Sequence, residues 1–210
     1  MDEMLPTYPV HLKGELTETP SRALWLVKWL LIFPHLIVLA ALAVAFAVLT
    51  VIAFFAILFT GRYPRRLFDF NVGVLRWGWR VSFYSYGALG TDTYPPFTLR
   101  SFDYPADLEI DYPEKLKNGL VLVKWFLAIP HYAALAALAG WAAGHAKGWS
   151  LPFGGLLWVL LAIVAVLLLF TGKYHRDIFK LVMGIQRWSY RVIAYVGLMT
   201  DEYPPFRLWE

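Results

Sequence analysis

Two arginines one helical turn apart, each first arginine followed by tryptophan, are the sharpest chemical feature of this chain. They occur as Arg76-Trp77 with Arg80, and again as Arg187-Trp188 with Arg191. Forked guanidinium donors at this spacing suit a phosphate or carboxylate, and a phospholipid headgroup is the anion that fits the surrounding apolar sequence. The alternative for the same residues is anchoring at the membrane boundary, with ion pairs to Asp69 or Asp177. A second pair, Pro34-His35 and Pro130-His131, lies inside apolar blocks. Histidines at that depth are candidates for a proton relay. The alternative is a neutral ring hydrogen-bonded to a carbonyl that proline has freed. Two histidines without a matching carboxylate make a poor metal site, so no metal is expected. The chain has no cysteine. It also lacks a nucleophile elbow, a phosphate-cradling glycine loop and a His-Glu-x-x-His helix. The expectation is a non-enzymatic protein without a cofactor.

Each of these features comes twice because the chain is duplicated. Val27-Lys28-Trp29 returns as Val123-Lys124-Trp125, Phe59-Thr60-Gly61-Arg62-Tyr63 as Phe170-Thr171-Gly172-Lys173-Tyr174, and Tyr94-Pro95-Pro96-Phe97 as Tyr203-Pro204-Pro205-Phe206. The copies divide at about residues 1–102 and 103–210. Hydrophobic residues make up 59% of the chain and charged residues 16%, against about 25% charged in a soluble domain. Ten tryptophans suit the membrane–water boundary. A net charge of +4, dispersed along the chain, gives no nucleic-acid footprint. Met1 to Pro6 has no basic start or apolar core of a signal peptide, so the first apolar segment is expected to insert uncleaved.

The elements that would carry these residues follow from periodicity. Alternation at Tyr8 to Leu16 and at Ala106 to Asp111 reads as strand. Phe97 to Arg100 and Phe206 to Leu208, each behind a Pro-Pro pair, are two further short candidates, giving a four-strand sheet outside the lipid. The apolar block from about 22 to 60 would be roughly 58 Å long as a helix, against a hydrocarbon core about 30 Å thick. Two spans fit it. The second block, about 119–171, is interrupted by a polar stretch at 144–155, which reads as the turn of a hairpin. No turn residue separates Leu36 from Thr60, so a rival reading places a short interfacial helix before a break at Pro34 and a single span after it. Lys and Arg at both ends of each block favour hairpins with all cationic ends in the cytoplasm. A third helix follows in each copy, at about 66–88 and 177–198. Asp69, Gly73, Arg76 and Arg80 share one face of the first, and Lys180, Gly184, Arg187 and Arg191 one face of the second, which predicts interfacial amphipathic helices. Lys28 and Lys124 are expected to snorkel, and Thr91-Asp92 and Thr200-Asp201 to form turns.

The stretches Leu24 to His35, Ile52 to Pro64, Phe68 to Trp77 and Tyr94 to Phe97 resemble a bacterial membrane family known as domain of unknown function family 4389. The resemblance covers nearly the whole chain as a tandem pair. Copy two departs from it at Tyr174-His175-Arg176, where a proline is expected, and at Lys180 in place of the acidic residue. It implies a membrane location and carries no activity.

Together these readings predict an α-helical integral membrane protein with a small extramembrane β-sheet and two parallel repeats. It would sit in the cell inner membrane, multi-pass, with basic flanks and sheet on the cytoplasmic side. Its expected partners are membrane lipids, engaged through Arg76, Arg80, Arg187, Arg191, Trp77 and Trp188. Small residues (Ala40, Ala41, Ala43, Ala45, Ala47 and Ala133, Ala134, Ala136, Ala137, Ala139) would permit self-association or entry into a larger membrane complex. The expected function is a non-enzymatic membrane scaffold or accessory subunit that engages anionic lipid headgroups and self-associates; the alternative is a channel or small transporter with a path lined by His35 and His131.

Overall fold

The computed structural model describes residues 8–17, 20–139 and 155–208. Strand β1 (Val10–Gly14) pairs antiparallel with β2 (Ala106–Ile110), in the register Val10↔Ile110, Leu12↔Leu108, Gly14↔Ala106. The expected alternation holds: Val10, Leu12, Leu108 and Ile110 are buried, whereas His11, Lys13 and Glu109 face out. Copy correspondence runs Val10 to Ala106 and Leu12 to Leu108, at the spacing of Lys28 to Lys124. Exchanging the copies therefore turns the first pair of this register into the last and leaves Leu12↔Leu108 in place. A local two-fold relation passes through that central pair.

The two further strands are not formed. Segments 97–100 and 206–208 are bends outside the sheet. Their carbonyls are taken by side chains instead of a neighbouring strand. Arg80 donates to Thr98 O and Arg100 O, Arg76 to Leu99 O, and Arg191 to Arg207 O.

The first apolar block forms a 3-10 turn (Leu24–Leu26), a short helix α1 (Lys28–Leu31) and one long helix α2 (Phe33–Thr60). The hairpin expected in copy one is therefore absent, and the break falls at Ile32, close to where the rival reading puts it. Pro34 occupies the first turn of α2, where its missing N–H costs nothing. Nothing after it interrupts the ladder: apart from His35 the residues are Ala, Leu, Val, Ile and Phe, and Thr50 and Thr60 return their hydroxyls to Phe46 O and Ala56 O. The helix has 28 residues, which makes it about 42 Å long. It ends at Gly61, whose φ of 66° is the left-handed cap that glycine adopts without strain. In copy two, α4 (Leu120–Leu127) takes the place of the turn and α1, and α5 (Ile129–Ala139) and α6 (Leu156–Thr171) that of α2, with α5 packed on α6. The polar turn expected at 144–155 lies, except for Gly155, outside the described residues.

Helices α3 (Arg65–Tyr84) and α7 (Arg176–Val196) form the middle of the molecule. At 3.6 residues per turn, Asn71 and Val81 lie roughly 140° around α3 from Arg76. The Arg76 side meets β2, where Nε donates to Leu108 O at 2.9 Å. The far side meets α2: Asn71 donates to Thr50, and Val81 packs with Ile32, Leu39 and Leu42. Helix α7 lies beneath β1 in the same way, with Arg187 Nε donating to Leu12 O. Each copy's third helix thus packs on the other copy's strand. Trp79 joins the layers, touching Tyr190 and donating to Lys13 O. The order is sheet, then α3 and α7, then the apolar helices.

Candidate membrane-embedded surface and its buried clamps

Helix α2 packs through one stripe at helical spacing: His35, Leu39, Leu42, Phe46, Thr50, Ala53 and Ile57. The rest of its circumference is apolar and exposed, including Ile37, Val44, Val48, Val51, Phe55 and Phe59. Val159, Ile163, Val166 and Phe170 are likewise exposed on α6. The segments Phe33–Thr60 and Leu120–Leu138 are long and apolar enough to cross a membrane. Only 11% of the apolar window of Phe33–Thr60 is buried inside the protein. The central helix of a soluble domain would be mostly covered, and an exposed apolar patch of this extent marks a surface for lipid or for another protein.

Polar clamps hold this surface to the rest of the protein, and they repeat. Lys28 is buried, its Nζ 2.7 Å from Thr91 O, 3.0 Å from Asp92 Oδ1 and over the Tyr84 ring. Lys124 makes the same set with Thr200 O, Asp201 and Tyr195. Asp92 also accepts from the Ser21 N–H, as Asp201 does from that of Lys117. Neither lysine snorkels. The Thr-Asp pairs are ion-pair partners as well as turns, a pairing the sequence hides because the partners are 63 residues or more apart.

The histidines are clamps too. Trp77 Nε1 donates to His35 Nδ1 at 3.0 Å, which places the proton of the neutral ring on Nε2. The ring stacks on Phe97 at 3.8 Å and leans on Tyr94. His131 repeats this with Trp188 at 3.1 Å, Phe206 and Tyr203. Both histidines are fully buried, so each ring is shut inside its own aromatic box and lines no open path. The Tyr-Pro-Pro-Phe motif exists locally to close this box.

The cationic stripe faces protein. Arg80 is fully buried and Arg191 2% exposed, so neither reaches a headgroup. Asp107 bridges Arg76 at 3.0 Å and Arg80 at 3.1 Å. Burial pulls the Arg80 guanidinium below its ordinary pKa, and the Asp107 charge opposes that. Arg191 lies over the Tyr8 ring. Burial pushes the Tyr8 hydroxyl pKa up, as it does that of Tyr104. Gly73 completes this face, since a Cβ there would stand 2.9 Å from Leu99 O. Trp77 and Trp188 are buried as indole donors. Arg76 borders an open polar cleft of about 610 Å³ with Arg65, Asp69, Arg100, Glu109 and Asp111, and Arg187 is partly exposed. An apolar groove of about 410 Å³ lies between α2 and copy two, lined by Phe46, Val51, Trp125 and Ile193. Among the described residues no three His, Asp or Glu side chains gather to hold a metal.

Among the described residues the chain is mostly helical, with one two-strand antiparallel sheet and two helices long and apolar enough to cross a membrane. The family model for the domain of unknown function DUF4389 matches residues 22–98 and 153–207. The chain belongs to that family and carries it as a tandem copy. No curated protein matches the chain, and no solved structure does.

Proposed function

We propose that the protein is a non-enzymatic membrane scaffold: an apolar lower layer embedded in lipid, two copies inserted the same way round, and a polar roof presented to the cytoplasm at the inner membrane. The observation that carries this is the uncovered apolar circumference of α2, 11% buried over its most apolar window. The polar cleft begins at Arg65, four residues after the end cap Gly61, and so lies where an embedded helix leaves the lipid. It offers three guanidinium groups and three carboxylates, a set that suits a phospholipid headgroup with its phosphate on Arg65 or Arg100. Headgroup contact thus moves from the buried Arg80 and Arg191 to exposed residues of the rim.

Co-flotation with phospholipid vesicles tests this reading. The parent protein is expected to float with the vesicles at low and high salt, because apolar burial is not screened. Arg65→Ala with Arg100→Ala is expected to lower the affinity for anionic vesicles severalfold and to flatten its salt dependence. A parent that stays with the protein-only fraction contradicts the membrane reading. An unchanged salt dependence in the double variant removes the headgroup role.

A further inference from the structure

We propose that α2 lies along one leaflet of the bilayer instead of crossing it, with lipid acyl chains on its outer face and the protein's own polar layers over its inner face. The inference rests on the membrane reading above and concerns the geometry of embedding.

Both ends of α2 are tied to the same polar layer. At the N-terminal end, Leu31 O accepts from Tyr94 at 3.0 Å, and Lys28 pairs with Asp92, both partners lying in the segment that leads into β2. At the C-terminal end, Gly61 O accepts from the Leu116 N–H at 2.8 Å, Tyr63 O accepts from Tyr112, and Leu58 O accepts from Asn118. Those partners lie in the segment that leaves β2. Helix α3 returns between the two ends: it starts at Arg65, beside Gly61, and at Tyr84 its ring sits under Lys28. Strand β2 runs the same course above it, with Asp107 against Arg80 at one end and Asp111 beside Arg65 and Asp69 at the other.

Helix α2, helix α3 and strand β2 therefore run side by side in a stack. If α2 stood across the bilayer, α3 and β2 would stand with it. His11, Lys13, Glu109 and Asp111 on the outer sheet face would then enter the hydrocarbon. Each charge at the centre of a bilayer costs from about 2.5 kcal/mol upward, and a two-strand sheet has open edges that lipid cannot satisfy. Laying the stack flat removes both penalties. It also accounts for a feature that is odd in a surface helix: α2 has no polar face of its own. An isolated interfacial helix needs one for the water side. Here α3 and the sheet supply it, so all of α2 can be apolar.

The two-fold relation through Leu12↔Leu108 applies the same geometry to copy two. The C-terminal end of α6 lies beside copy one's N-terminal flank, with Gly172 against Arg22, as Gly61 lies against Asn118. All four ends share one side of the membrane.

The chain has no cysteine, so single-cysteine variants report without background. Arg22→Cys, Arg62→Cys and Val44→Cys, each in the full chain, would be treated with a membrane-impermeant maleimide in right-side-out and in inverted membrane vesicles. The expected result is that R22C and R62C label in the same vesicle type and V44C in neither. Labelling of R22C and R62C in opposite vesicle types would show a single crossing and overturn the proposal. Labelling of V44C in the type where the other two are silent would show a hairpin reaching the far surface, and would overturn it equally. Protein that fails to pellet with the vesicles at all contradicts the membrane reading, a result separable from either labelling pattern.

Discussion

Asp107 is the residue on which the cationic face depends. It is the carboxylate shared by Arg76 and the fully buried Arg80. Removing one partner of a buried ion pair costs roughly 3–5 kcal/mol; Asp107 retains 15% side-chain exposure, which places Asp107→Ala near the lower figure. The pair Arg65–Asp69 is exposed on both sides, and Asp69→Ala is expected to cost under about 1 kcal/mol. Thermal unfolding of both variants in one detergent measures the contrast. Equal losses would mean that Arg80 does not depend on Asp107. The histidine boxes make a second residue-level prediction. His35→Phe keeps the stacking on Phe97 and leaves the Trp77 indole N–H without its acceptor, a loss of roughly 1–3 kcal/mol. His131→Phe is expected to match it within error, because the two boxes share their geometry. A proton path through these rings would instead show lost flux at unchanged stability.

At the scale of elements, α2 is the part of the fold that sequence read least well. Its apolar length, its Gly61 cap and the absence of a turn after Leu36 were all legible in the residues, as was the possibility of a break near Pro34. Charge at both ends pointed to a hairpin, because a count of flanking lysines and arginines is blind to how the chain runs between the two ends. A helix roofed by its own protein satisfies the same count without turning. The arginine stripe was legible as a face, and the burial of Arg80 and Arg191 against protein was not. Its partner Asp107 comes from a strand that belongs to the other copy, and periodicity within one helix carries no information about that. The period-two alternation of Val10, Leu12 and Leu108 read correctly because a half-buried strand writes its burial into local spacing. The bends at 97–100 and 206–208 did not, since their carbonyls answer to arginine side chains 16 to 23 residues away, beyond the reach of local spacing. Val44→Arg tests α2 as a lipid-facing element. Val44 is 66% exposed and packs on nothing in the stripe, so unfolding in detergent should hardly change. A lipid-facing arginine costs roughly 2.5–3.5 kcal/mol, which weakens vesicle partitioning about a hundredfold. Unaltered partitioning would put Val44 in water.

The whole molecule is two copies that complete one another. Each third helix packs beneath the other copy's strand, and each long apolar segment ends on the other copy's flank. The duplication was plain in sequence, and so was the apolar length of the segments it carries. The exchange of parts was not, because similarity between copies says nothing about which copy a contact crosses to. A single strand here has no partner except its counterpart, so the sheet, the stripe and the aromatic boxes stabilise one polar layer jointly. On the proposal above, that layer is what would allow so apolar a helix to lie at a membrane surface.

The most direct test of the account is a spin-label accessibility scan of residues 33–60 in lipid vesicles, comparing oxygen, which partitions into lipid, with a water-soluble nickel chelate. The account predicts high oxygen and low nickel accessibility at Ile37, Val44, Val48, Val51, Phe55 and Phe59, and low accessibility to both at Thr50, Ala53 and Ile57, with the period of a single unbroken helix. High nickel accessibility along the exposed face would place it in water and contradict the account.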